Sequence, residues 1–172
     1  MPAESLLSAW PPEQQLNMHP RKKIPAAVIG VGYLGKFHAE KFAAAEKADL
    51  IAVVDEDSAR AAEIGGGVGA VGLTDYRELF GRVQCVSIAV PTRVHHQVAK
   101  DFITAGIDVL VEKPLAANLD QAKDLVNLAE SRNCILQVGH LERFNPPIRR
   151  LEGVIKEPKF VECHRLAPFV ER

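Results

Sequence analysis

No charge of either sign dominates this chain. Its 172 residues hold 21 Lys and Arg against 22 Asp and Glu, a formal net charge of −1. That leaves no basic field to grip a nucleic-acid backbone or an anionic membrane surface. Cysteine is scarce: Cys85, Cys134 and Cys163 are far apart and lie in apolar runs. Such a set fits neither a disulfide framework nor CxxC zinc spacing, and it suits a reducing compartment. No metal site is expected, and neither HExxH nor GxSxG occurs. No run approaches the roughly 18 apolar residues of a membrane helix. A signal peptide's order is missing too, because Arg21, Lys22 and Lys23 follow the mildly apolar stretch instead of preceding it. A soluble, cytoplasmic protein is the expectation. The hydrophobic fraction of 47% supplies enough apolar surface for one domain with a core.

Residues 1–23 carry Pro2, Pro11, Pro12 and Pro20 without a sustained apolar period, and read as a flexible tail. Met18 offers a second possible start of translation. From Ile24 short apolar runs recur: Ala26–Ile29, Leu50–Val54, Cys85–Val90, Val109–Val111 and Cys134–Val138, with a weaker one at Val68–Leu73. Runs of strand length without polar alternation predict strands covered on both faces. Helices are predicted between them, over Gly35–Ala45, Ser58–Ile64, Tyr76–Phe80, His95–Ala105 and from Leu119. The last follows an Asx cap at Asn118 with Gln121 at N3, and Gly106 is a good stop for the helix before it. Strand and helix in alternation predict an α/β fold, a Rossmann-type doubly wound parallel sheet, over residues 24–147. Residues 148–172 read as a linker helix, Ile148 to about Lys156, followed by one half-polar strand over Lys159–Leu166. That strand looks like the beginning of a second, substrate-binding domain.

The strongest local motif is Gly30-Val31-Gly32-Tyr33-Leu34-Gly35, leaving one strand and opening a helix. In a dinucleotide site the first glycine permits the turn, the second admits the pyrophosphate, and the third lets helix pack on strand. A ligand-free turn or an S-adenosylmethionine site would use similar glycines. Asp55 ends the next strand about twenty residues on, where a carboxylate bonds the adenosine ribose. Glu56 and Asp57 add negative charge there, which favours NAD over NADP, while Arg60 is the nearest opposing cation. Pro91, Thr92 and His95 follow the fourth strand, and Glu112, Lys113 and Pro114 end the fifth. Both groups fall at strand C-terminal ends, where this fold binds ligands. Lys113 could polarise a carbonyl or hydroxyl there, and Pro114 would hold it extended. Gly139, His140 and Arg143 end the sixth strand, with Arg143 a candidate for an anion. His38, His96, His19 and His164 are weaker candidates by position.

Taken together, Gly30–Gly35, Pro91-Thr92 with His95, Glu112-Lys113-Pro114 and Gly139-His140 with Arg143-Phe144-Asn145-Pro146 resemble the N-terminal half of the Gfo/Idh/MocA oxidoreductases. The stretch from Gly139 to Pro146 is most similar to members acting on nucleotide sugars. The resemblance implies a bound nicotinamide cofactor and hydride transfer to or from a sugar carbon. It also implies that Lys113 is the lysine beside the nicotinamide and the reacting hydroxyl. Further implied is a C-terminal domain carrying a catalytic histidine and the oligomer interface. The expected partners are therefore a small-molecule sugar or nucleotide sugar, and a second copy or partner chain over the apolar residues Phe160, Val161, Leu166, Phe169 and Val170. The alternative reading is a stand-alone NAD-binding module without catalysis of its own.

Overall fold

The computed structural model describes residues 23–162, 164 and 166. The predicted tail lies almost wholly outside the described residues, as do Cys163, Phe169 and Val170. The chain divides into two units, one ending at Gly139 and one beginning at His140.

The first unit holds a six-stranded, all-parallel sheet in the order β3-β2-β1-β4-β5-β6. Its strands are β1 (Ile24–Ile29), β2 (Ala48–Val54), β3 (Val71–Leu73), β4 (Cys85–Ile88), β5 (Asp108–Val111) and β6 (Leu136–Val138). This is the order of the dinucleotide-binding fold, with its crevice where the order reverses, between β1 and β4. The alternation of successive side chains divides β1 cleanly. Ala27 and Ile29 join one apolar cluster with Val86, Ile88, Phe102 and Leu125. Val28 joins the other, with Val31, Ala39, Leu50 and Val53. Apolar runs were required because both faces are covered.

The covering helices are α1 (Tyr33–Ala44), α2 (Ser58–Val68), α3 (Thr92–Thr104) and α4 (Leu119–Arg132). Asp57 caps α2 by accepting the amides of Ala59 and Arg60. Asn118 caps α4 by accepting the Gln121 amide at 2.9 Å, and Gln121 in turn accepts the Ala117 amide. Gly106 stands at φ +76° just past α3, its amide on the Ile103 carbonyl. The predicted helix at Tyr76–Phe80 is a single 3-10 turn, Tyr76–Leu79.

Two differences from expectation have physical causes. Helix α2 continues through Gly65, Gly66 and Gly67, although each glycine costs about 1 kcal/mol against alanine. At Gly65 closeness is the reason: a Cβ there would stand 2.8 Å from the Ala70 oxygen and 3.0 Å from the Gly72 nitrogen. Nothing in the structure explains Gly66 or Gly67. In the second unit the helix is short, with α5 spanning Pro146–Arg149. The described residues of the predicted strand, 159–162, 164 and 166, are not in a strand. Polar–apolar alternation makes a strand only where a neighbour completes the ladder, and none pairs with it among the described residues.

Candidate functional site

The glycine loop is built by contacts that admit no side chain at two of its three glycines. Gly30 has φ +81°, and a Cβ on it would lie 2.8 Å from Val90 Cγ1 and 2.9 Å from the Ala89 carbonyl carbon. A Cβ on Gly35 would collide with the Gly30 carbonyl. Gly32 is different. It has extended backbone, no side chain caps the helix it precedes, and a Cβ on it would meet nothing within 4 Å. Gly30 and Gly35 therefore weld loop to helix, whereas Gly32 keeps space open before the free amides of the first α1 turn.

Asp55 sits directly beside this loop, its side chain about 10% exposed. Its Oδ2 accepts the Val31 amide at 3.0 Å, and its Oδ1 accepts the Asp57 amide and Arg60 Nη1, each at 3.0 Å. Arg60 also reaches Asp57 at 3.2 Å, so the cation is held by two carboxylates. Of the roughly four acceptor positions on a carboxylate, one on Oδ2 stays available for a ribose hydroxyl. Asp55→Ala removes that acceptor and the loop bond together. Hydrogen bonds to charged groups contribute about 1.5–3 kcal/mol. NAD affinity should fall by about tenfold or more, and the preference for NAD over NADP should narrow. Calorimetric titration with both dinucleotides checks this.

Gly30, Gly32, Leu34, Asp55 and Pro91 surround one crevice of about 540 Å³, with Tyr76, Arg93 and Gln97 on its wall. Its volume is typical of small-molecule sites. Burial together with the Asp101 hydrogen bond and charge pushes the Tyr76 hydroxyl up to about 12, so it stays a donor to Asp101 at 2.7 Å. Tyr33 is 84% exposed and makes an edge contact with Phe37. Thr92 opens α3 directly after Pro91.

The Glu112-Lys113-Pro114 turn follows β5 at the same sheet edge. Lys113 and Pro114 are exposed and joined by a cis peptide. Glu112 and His95, expected from the sequence at the cofactor rim, have buried side chains bonded within the protein. The His95 ring is 1% exposed, with Nδ1 2.8 Å from the Pro114 oxygen and Nε2 2.8 Å from the Val90 oxygen. Both nitrogens face backbone carbonyls, which only accept, so a neutral ring donates to one of them and braces the rim from within. Glu112 is 5% exposed and turns its carboxylate inward, towards His38 and the Lys113 amide.

His38 is the residue that sequence reasoning undervalued. Its Nε2 lies 3.2 Å from Glu112 Oε1 and its Nδ1 2.7 Å from Ser87 Oγ. A usable signal existed: Ser87 interrupts an otherwise apolar strand, and a buried hydroxyl demands a partner. Arg143 and His140 belong to the second unit, with Arg143 exposed on a 3-10 turn at Leu141–Phe144.

The sheet order and the glycine cradle define a dinucleotide-binding Rossmann domain. The chain belongs to the Gfo/Idh/MocA oxidoreductase family, matching its NAD-binding Rossmann fold over residues 24–140. It is 38% identical over 146 residues to a UDP-N-acetylglucosamine 3-dehydrogenase of Acidithiobacillus ferrooxidans, covering 84% of this chain and 46% of that protein. It is 30% identical to inositol 2-dehydrogenase 3 of Saccharopolyspora erythraea, covering 86% and 46%. Among solved structures, GenD2 from gentamicin A biosynthesis in complex with NAD superposes with a TM-score of 0.75 at 32% identity, covering 79% of this chain and 40% of that one. The chain thus spans less than half the length of the relatives it matches.

Proposed function

We propose that this chain binds NAD in the β1/β4 crevice and serves hydride transfer at a CH–OH carbon of a sugar, most closely a nucleotide sugar. The observation that carries the reading is the open space at Gly32, set between an uncapped helix start and the Asp55 carboxylate. A pyrophosphate fits that cradle, and Asp55 would hold the ribose. When bound, the nicotinamide ring supplies the hydride acceptor or donor. Lys113 is assigned the hydrogen bond to the reacting oxygen and the handling of its proton, as the family resemblance implies. The 38% relative acts on UDP-N-acetylglucosamine, which supports a nucleotide sugar over a free polyol.

Exposed Phe160, Val161 and Leu166 support cover of the second unit by a partner chain or a second copy. Cys85 and Cys134 are unpaired by any disulfide among the described residues, which supports a reducing compartment such as the cytoplasm. No helix among the described residues is long and apolar enough to cross a membrane.

Titration of the purified chain with NAD and NADP, followed by a turnover screen of nucleotide sugars and polyols, tests the reading. Saturable NAD binding with weaker NADP binding is the expected result. Absence of NAD binding would overturn it. NAD binding without turnover of any compound would favour the stand-alone binding module.

A further inference from the structure

We infer that His38, Ser87 and Glu112 form a buried device that positions Lys113, a role that rests on the assignment of Lys113 given above. The sheet's own alternation brings the three together. Val86 and Ile88 of β4, and Val109 and Val111 of β5, belong to the cluster packed against α3 and α4. Ser87 and Glu112, at the intervening positions, therefore point to the opposite face, the one covered by α1. His38 stands on α1 one turn beyond Gly35 and meets both of them.

The chemistry of the three groups fixes their roles. A carboxylate only accepts, so the proton between His38 and Glu112 is carried on Nε2. A neutral His38 ring then accepts the Ser87 hydroxyl proton at Nδ1. Ser87 is 0% exposed and Glu112 5%, so neither can exchange these partners for bulk water. No buried side-chain nitrogen or oxygen among the described residues lacks a partner. Glu112 has been given room for this arrangement. A Cβ on Gly139 would stand 2.9 Å from Glu112 Oε1, closer than a side chain there allows.

The output of the device is the Lys113 backbone. Glu112 Oε2 accepts the Lys113 amide at 3.1 Å, and His95 Nδ1 packs 2.8 Å from the carbonyl oxygen of the next residue, Pro114. Lys113 is thereby gripped on both sides while its own side chain stays exposed. His38 orients the carboxylate that makes the first of those grips. It is a positioning residue, acting through Glu112.

The test uses the 172-residue chain labelled with nitrogen-15. The Lys113 amide proton should resonate downfield and exchange slowly with solvent, as expected for an amide bonded to a carboxylate. His38→Ala should move that resonance upfield and speed its exchange about tenfold, while amides of β2 and β3 stay unchanged. His38→Gln, whose side-chain amide can still donate to Glu112, should recover most of the slow exchange. Should His38→Ala fail to fold, Ser87→Ala is expected to shift the Lys113 amide in the same direction by a smaller amount. An unchanged Lys113 amide in a folded His38→Ala or Ser87→Ala protein would overturn the inference, and so would His38→Gln behaving like His38→Ala. The NAD titration is independent of this readout. Its failure would remove the functional reading while leaving the tie between His38 and Lys113 to stand or fall on the amide data.

Discussion

Gly32→Val should abolish NAD binding while the protein stays folded and melts close to the parent temperature. The position is part-exposed and has extended backbone that any residue adopts, and a Cβ there would meet nothing within 4 Å. Substitutions at such sites usually change stability by no more than about 0.5 kcal/mol. The branched valine side chain would occupy the space through which a pyrophosphate must reach the α1 amides. Gly35→Ala is the contrasting experiment. Its single Cβ meets the Gly30 carbonyl, so loop and helix must separate, and overpacking of this kind costs about 1–3 kcal/mol. Thermal melts and calorimetric NAD titrations of both variants check the pair. Normal NAD affinity in a folded Gly32→Val protein would mean that the loop does not hold the dinucleotide.

Lys113→Ala should lower turnover by a factor on the order of 10²–10⁴ in any preparation that oxidises or reduces a sugar, the range for loss of a positioned proton-transfer group. The fold should tolerate the change, because the Lys113 side chain is exposed and its structural bond is made by its backbone amide. Lys113→Arg should not restore the rate. A guanidinium keeps the charge but does not give up its proton in the accessible range. Steady-state rates of the three proteins with one substrate decide the matter. Undiminished turnover by Lys113→Ala would move the proton-transfer role to another group.

Much of this architecture follows from neighbours in sequence. Unbroken apolar runs such as Ala26–Ile29 and Leu50–Val54 declare buried strands before any partner is known. Asn118 with Gln121, and Gly106 after α3, punctuate helices through bonds that span only a few residues. The glycine loop and Asp55 were legible for a related reason: their spacing is dictated by one strand–helix–strand unit. Alternation misled over the described residues 159–162, 164 and 166, since a polar–apolar period describes a strand only when another strand lies beside it.

The sequence by itself determined the Rossmann class, the glycine cradle and the place of Lys113 at a strand end, because these depend on local pattern and on a connection of fixed hand. Only the tertiary structure decided which polar groups face the ligand side and which serve beneath it. Ser87 lies 49 positions from His38, and nothing in the intervening chain announces their bond. His95, read along the chain, stands at the rim with Thr92, yet folding turns its ring inward to the carbonyls of Val90 and Pro114. Direction of this kind arises when helices settle on a twisted sheet, and each buried polar group must then find a partner among whatever the packing brings near.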